Sequence, residues 1–258
     1  MTDEDFDQRL DHAARIVRSA RRVVAMTGAG LSVESGIPPF RGPGGLWTKY
    51  GEPPMNGFER FLADPAQAWR DRLSPKGPMR ELWETVRRAQ PNPGHLALRE
   101  LEVAGVLHAL ITQNVDDLHR RAGSVRLLEI HGNATLVRCL ECVSRFPSEA
   151  IAVDELPPRC PECGGILKSD TVSFGEPIPT DVLEGCYSAT EGCDCMLVIG
   201  TSATVYPAAQ FAIDVATGGG KLIEVNLYES ELTPACAVSL RGAAGEILPA
   251  LVARLAGR

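Results

Sequence analysis

Four of the eight cysteines form two Cys-x-x-Cys pairs, Cys139/Cys142 and Cys160/Cys163, with 17 residues between the pairs. Two tight turns at this separation present four thiolates to one tetrahedral Zn²⁺, and an ion held that way dictates how the surrounding segment folds. With every position filled by sulfur, no coordination site stays open for water, so the ion is structural and the chemistry belongs to other groups. Buried free thiols or a redox pair are the alternative reading. A zinc ribbon gripping nucleic acid is another, but Glu141 and Glu162 lie inside the two knuckles and the formal net charge is -7. A sequence-independent grip on nucleic acid needs clustered Lys and Arg; the acidic balance favours a basic partner instead, such as a basic peptide segment. Cys186, Cys193, Cys195 and Cys236 lack paired spacing and are read as structural.

The 258 residues, 44% hydrophobic, suffice for a large core with a smaller appendage. No run of about 18 apolar residues occurs, and the first residues, MTDEDFDQRLDHAARIVRSA, are polar and acidic where a secretory signal is basic and then apolar. The expectation is a soluble, cytoplasmic protein without a membrane span.

Apolar positions at Phe6, Leu10, Ala13, Ala14, Val17 and Ala20 put one stripe on an amphipathic helix over residues 4–21. A short apolar run, Arg22 to Thr27, then ends in Gly28-Ala29-Gly30 and a helix start at Leu31–Ser35. Further apolar runs at Val106–Thr112, Met196–Gly200 and Lys221–Asn226 each end in small or polar residues, with helix-like stretches between them. Strands alternating with helices predict a parallel α/β sheet. Two segments break the alternation: the Pro- and Gly-rich stretch of residues 36–60, read as a mobile loop entering a helical insertion, and the cysteine-rich Arg138–Leu167.

Gly28-Ala29-Gly30 after a strand lets the backbone approach a pyrophosphate, whose charge the following helix N-terminus favours. Val33 stands where a dehydrogenase carries its third glycine, and no second strand ends in an acid about twenty residues on, so hydride transfer is disfavoured. Thr112-Gln113-Asn114-Val115-Asp116, Gly200-Thr201-Ser202 and Val225-Asn226 all fall at expected carboxyl ends of strands, where an open α/β sheet has its ligand crevice. Glu129-Ile130-His131-Gly132 adds a lone histidine between an apolar strand and a glycine.

The segments GAGLSVESGIPPFRGPGGLW, TQNVDDLHRRAG, EIHGN, VSFGE, GTSATVYPAA and EVN, with the two cysteine pairs, resemble the sirtuin family of NAD-dependent protein lysine deacylases, bacterial type, over about residues 5–253. The resemblance implies a Rossmann-like NAD-binding domain of parallel strands with helices on both faces (residues 1–41, 84–133 and 175–258). It also implies a small domain made of a helical insertion and a zinc-ribbon module (42–83 and 134–174). NAD is implied as co-substrate and one Zn²⁺ as structural ion. Acylated-lysine proteins or peptides are the implied partners, without nucleic acid or membrane, for a monomer or weak oligomer.

Carried over residue by residue, the resemblance gives Gly28, Ala29 and Ser32 to the phosphates, and Phe40 and Arg41 to a loop over the nicotinamide ribose. Gln113, Asn114 and Asp116 line the nicotinamide pocket, with Asn114 and Asp116 counted as catalytic. Gly200, Thr201, Ser202 and Asn226 fall on the phosphate and adenosine side, with Trp47 and Ala244 as further cofactor contacts. The implied reaction begins when nicotinamide is twisted out of conjugation and leaves as the acyl oxygen attacks C1′. His131 then acts as general base so that the 2′-oxygen attacks the O-alkylimidate, yielding free lysine and 2′-O-acyl-ADP-ribose. Val172, Phe174, Gly175 and Glu176 resemble the strip that takes the peptide as an added strand, with Val172 and Phe174 walling the acyl-lysine tunnel.

Two positions depart from the family pattern. The usual GIPDFR reads GIPPFR, placing Pro39 where an acid helps order the cofactor loop. Members selective for acidic acyl groups carry Tyr-x-x-Arg on the small-domain helix, where this chain has Arg72 and Pro75. A neutral acyl group, acetyl or longer, is expected, with Arg70 and Arg72 the nearby cations. A mono-ADP-ribosyltransferase or NAD glycohydrolase, and a catalytically quiet NAD-binding sensor, are the competing readings.

Overall fold

A computed structural model of the protein describes residues 3–257; Met1, Thr2 and Arg258, which the expected large domain includes, lie outside the described residues. Six parallel strands form the main sheet: β1 (Val23–Thr27), β2 (Leu107–Thr112), β3 (Leu127–Glu129), β7 (Cys195–Ile199), β8 (Lys221–Asn226) and β9 (Cys236–Arg241), in the order β3-β2-β1-β7-β8-β9. Between β3 and β7 in the chain, β4 (Leu136–Cys139), β5 (Arg145–Pro147) and β6 (Leu167–Ser169) form a separate antiparallel sheet in the order β5-β4-β6.

The main strands are apolar on both faces because both are covered. In β1, Val23 and Ala25 join one buried cluster, under α1 (Asp3–Ser19), α6 (Pro93–Val103) and α10 (Ala244–Ala256). Val24 and Met26 join the opposite one, under α8 (Thr180–Thr190) and α9 (Ala208–Thr217). This two-sided burial erases the polar alternation of a half-exposed strand and leaves the continuous runs legible in the sequence. Cys195 packs in the first cluster and Cys186 and Cys193 in the second, and burial pushes the Cys186 and Cys195 thiols up to about 12.

Several elements differ from expectation. The helix after Gly30 is a 3₁₀ helix, Ala29–Ser35, stopped by Gly36 at φ 87°. The edge strand β9 was not anticipated, because its CAVSLR sequence is buried only at alternate positions. The Pro- and Gly-rich stretch leads into α2 (Leu46–Tyr50), α3 (Gly57–Ala63), α4 (Pro65–Leu73) and α5 (Gly77–Arg88). The expected domain boundary at residues 83/84 falls inside the continuous α5, whose Leu82 and Val86 pack on Ile37 and on Leu118 of α7 (Leu118–Arg121).

The insertion helices and the cysteine-rich segment share one core. Phe61 of α3 and Trp69 of α4 pack with Val137, Cys139, Cys160 and Leu167, and Trp69 Nε1 donates to the Leu167 carbonyl at 2.7 Å. The four Sγ atoms lie within 4.8 Å of one another, with Cys139–Cys163 at 3.4 Å and Cys142–Cys160 at 3.6 Å. A ZnS₄ tetrahedron with 2.3 Å bonds has edges of about 3.8 Å. Backbone N–H groups of Glu141, Cys142 and Gly165 donate to Cys139 and Cys163 sulfurs, as thiolates require, so the residues fit one zinc ion. Each second cysteine is followed by a left-handed turn, at Val143 (φ 58°) and Gly164 (φ 79°).

The main-sheet strands end level, with Thr27 opposite both Thr112 and Ile199, so their outgoing loops share one rim. Strand order reverses between β2 and β7 on either side of β1, which opens a crevice at that rim. Two glycine contacts close its floor. Gly28 N–H donates to the Ile199 carbonyl and Gly30 N–H to the Gly200 carbonyl, at 2.9 and 2.8 Å. A Cβ on Gly200, itself at φ 58°, would stand 2.4 Å from the Leu31 nitrogen.

Two outcomes follow from this packing. Cys160→Ser should release the ion and unfold the small module, since metal-binding free energy of about 10–16 kcal/mol is folding free energy in such modules; retained zinc with an unchanged melting curve would contradict the assignment. Gly200→Ala should destabilise the protein by about 2–4 kcal/mol in urea titration, because strain and overlap coincide.

Candidate active site

The β1 loop is built by exclusion of side chains. Cβ atoms added to Gly28 and Gly30 would lie 2.7–2.8 Å from Gly200 and Thr201 atoms. The glycines therefore let two protein loops meet, a different reason from the direct approach of a phosphate that the sequence suggested. Their two N–H groups are already bonded to Ile199 and Gly200, whereas the Ala29 N–H, first in the 3₁₀ turn, takes no backbone partner among the described residues.

Beside this turn the β2 loop delivers Gln113, Asn114 and Asp116. Asn114 and Asp116 are buried and meet Ser32: Asn114 Nδ2 donates to the Gly28 carbonyl (3.1 Å) and Ser32 Oγ (3.2 Å), and Ser32 Oγ donates to Asp116 at 2.6 Å. Leu118 N–H donates to the other Asp116 oxygen at 3.0 Å. Burial raises the Asp116 pKa above the usual carboxylate value, against the pull of the Ser32 and Leu118 hydrogen bonds. An amide and an acid side by side supply the donor and acceptors that match a carboxamide. Gln113 Nε2 donates to Thr201 Oγ1 at 3.0 Å and Asn226 Nδ2 to the Thr201 carbonyl at 2.9 Å, so these residues join across the crevice. Ser202 is exposed and pairs with Thr204 at 2.9 Å. Ala244 starts α10 after β9, beside Gly94.

His131 follows β3. Its Nδ1 lies 3.1 Å from the Gln113 carbonyl oxygen. A carbonyl only accepts, so Nδ1 carries the proton and the Nε2 lone pair of the neutral ring is free. Burial holds the His131 pKa below the ordinary imidazole value, with the Gln113 carbonyl opposing, and this favours the neutral base. The His131 carbonyl accepts the Val172 N–H at 2.8 Å, joining the histidine to the 172–176 strip.

In that strip the Val172 carbonyl and the Phe174 and Gly175 N–H groups have no partner among the described residues, while the Phe174 carbonyl accepts from Phe58. The Glu176 carboxylate, at the end of the expected peptide strip, is drawn into a buried ion cluster. It pairs with Arg138 (2.6 Å) and Lys168 (2.8 Å) and accepts the Ser173 N–H at 2.8 Å. Asp170 bridges Arg138 to Arg145, which reaches Asp181 on α8. The strip is thus held from beneath by charges of the zinc module.

At the mouth of the crevice Trp47 gathers three expected residues. Its ring centroid is 5.1 Å from that of Phe40 and 5.8 Å from that of Phe174, and the Arg41 guanidinium stands 4.4 Å over its face. Glu52 and Thr204, which sequence reading passed over, hold Arg41 at 3.0 and 3.1 Å. Arg72, a candidate for binding an acidic acyl group, donates to Ser169 Oγ, the Ala134 carbonyl and Ser148 Oγ at 2.9–3.0 Å. Arg70 is exposed and bonds Gln67.

The Sir2 family model matches residues 28–207 of this chain. An NAD-dependent protein deacylase of Thermococcus kodakarensis is 47% identical over 253 residues, 95% of each chain. Among solved structures, a Sir2 homolog–NAD complex is 42% identical with a TM-score of 0.79, covering 95% of this chain and 93% of its own. A Sir2–p53 peptide–NAD+ complex is 31% identical with a TM-score of 0.74, covering 96% of each. With a family model matched over residues 28–207 and relatives at such identity across nearly the whole length, the chain belongs to the Sir2 family, the sirtuins.

Proposed function

We propose that this sirtuin is an NAD-dependent deacylase of protein lysines carrying neutral acyl groups. The observation that carries the reading is His131: a neutral, Nδ1-protonated imidazole with a free Nε2, bonded through its own carbonyl to the strip in position to take a peptide. NAD, when bound, supplies an activated ribose carbon from which nicotinamide departs. Asn114 and Asp116 are assigned to its carboxamide, Gln113 to the pocket wall, and Ala29, Gly28 and Ser32 to the phosphate side with Gly200, Thr201, Ser202, Asn226 and Ala244. Phe40, Arg41 and Trp47 close the mouth. His131 Nε2 takes a proton from a ribose hydroxyl, which makes that oxygen the nucleophile that releases the lysine.

The peptide joins as an extended strand through the open backbone groups of Val172, Phe174 and Gly175, with Val172 and Phe174 flanking the acyl-lysine; Glu176 sets the turn beneath them. A neutral acyl chain is favoured because Arg72 is committed to Ser169, Ala134 and Ser148, and a carboxylate entering an apolar tunnel without a cation costs binding. We assign the large domain to the main sheet and the small domain to the insertion and zinc module, with the first boundary at Gly77 where α5 begins. The four thiolates suit the reducing cytoplasm, where we place the protein as a monomer or weak oligomer acting on acylated proteins. No described helix is long and apolar enough to cross a membrane.

Nicotinamide release from NAD, measured with acetyl-, succinyl- and myristoyl-lysine peptides, tests the reading. Release should require an acyl peptide, and acetyl should exceed succinyl by at least about tenfold in kcat/KM. Release without any peptide would instead identify a glycohydrolase. His131→Ala should lower deacylation at least about 100-fold. The acid limb of the wild-type profile should fall below the ordinary imidazole value, since the active form is the neutral ring and burial depresses its pKa; a limb at or above that value would remove His131 as the base.

A further inference from the structure

His95 on α6 and His119 on α7 are 0% and 2% exposed, with ring centroids 4.8 Å apart. Each has one bonded ring nitrogen and one buried nitrogen, His95 Nε2 and His119 Nδ1, without a partner in the structure. Hydrogen-bond polarity decides which of these carries a proton. Asn92 N–H donates to His95 Nδ1 at 3.3 Å, so the neutral ring has its proton on Nε2. Thr27 Oγ1 donates to Thr112 Oγ1 at 2.8 Å, so in its 3.0 Å contact with His119 Nε2 the ring is the donor and Nδ1 is a bare acceptor. Both rings are neutral, because burial pushes the His95 pKa down to about 4 and the His119 pKa well below its ordinary value. An unmatched donor and an unmatched acceptor thus lie on neighbouring rings, where leaving either one bare is unfavourable.

We propose that His95 Nε2–H donates to His119 Nδ1 and that both histidines are positioning residues, closing a one-way chain from Asn92 through His95, His119 and Thr27 to Thr112. The chain ends under the catalytic turn. Thr112 Oγ1 also accepts the Asn114 N–H at 3.1 Å, and the next carbonyl, that of Gln113, fixes the His131 tautomer. The α6 N-terminus thereby sets the orientation of Asn114 and His131 without touching substrate. The kinetic consequence rests on the deacylase reading; the chain itself rests on hydrogen-bond polarity, the closeness of the two rings and the neutrality that burial imposes on them.

Two substitutions at His95 separate this role from simple capping of α6. Asparagine keeps an acceptor near the Nδ1 position for the Asn92 N–H but has no group at Nε2, whereas glutamine places an amide donor near Nε2. His95→Gln should stay within about twofold of wild type in kcat for nicotinamide release, and His95→Asn should fall about tenfold with KM for the acyl peptide unchanged. Wild-type rates in His95→Asn with loss in His95→Gln would overturn the proposal in favour of capping. Nitrogen NMR of ¹⁵N-histidine-labelled wild-type protein needs no variant: both rings should read as neutral Nε2–H tautomers, with His119 Nδ1 shifted by an accepted bond. An Nδ1–H tautomer at His95, or an unshifted His119 Nδ1, would overturn the chain even if the kinetics agreed. Should wild type release no nicotinamide, the deacylase reading fails while the nitrogen shifts still decide the chain.

Discussion

The site depends on the contact between the Gly28–Gly30 turn and the Gly200 loop at the point where strand order reverses. Three positions without side chains let two loops from neighbouring strands approach until their backbones hydrogen-bond. That contact closes the floor of the crevice on the β7 side of β1, and from the β2 side the loop carrying Asn114 folds back over the same turn. Asn114 can reach the Gly28 carbonyl only because the turn sits so low. The crevice follows from topology, but its depth is set by missing Cβ atoms.

A second constraint acts from the small module. Its core is shared between the insertion helices and the cysteine ribbon, and its charged residues run beneath the 170–176 segment into α8. Ion pairs this buried contribute little net stability against their desolvation, but breaking one leaves an unpaired charge, so they fix geometry well. The strip is therefore held in register with the zinc module as well as with His131 at the end of β3.

What was legible in the sequence was local or two-sided. The cysteine spacing is a local demand of one ion, and the inner strands announce themselves because both faces are buried. The residues gathered at the strand ends, from Gln113 to Asn226, were readable once a parallel sheet was granted, and the family resemblance carried their individual roles. What was not legible depends on partners far along the chain. Arg72 stands as a candidate for an acidic acyl group until Ser169 and Ala134 close around it. The pairing of the Glu176 carboxylate with Arg138 and Lys168 leaves no local trace in VSFGE. His119 stood in a quoted motif, yet its proton order follows from Thr27, 92 residues away. The edge strand β9 was missed because burial at alternate positions leaves only a weak periodic signal.

The shared core of the small module has a historical corollary. Phe61 and Trp69 arrive from one interruption of the main sheet, Val137, Cys139, Cys160 and Leu167 from another, and all six pack in one cluster. Neither interruption buries its apolar face alone, so an ancestor carrying one without the other would have exposed it to water. The two insertions are therefore best regarded as a single inheritance delivered in two pieces of chain, and grafting onto another scaffold would have to move both together.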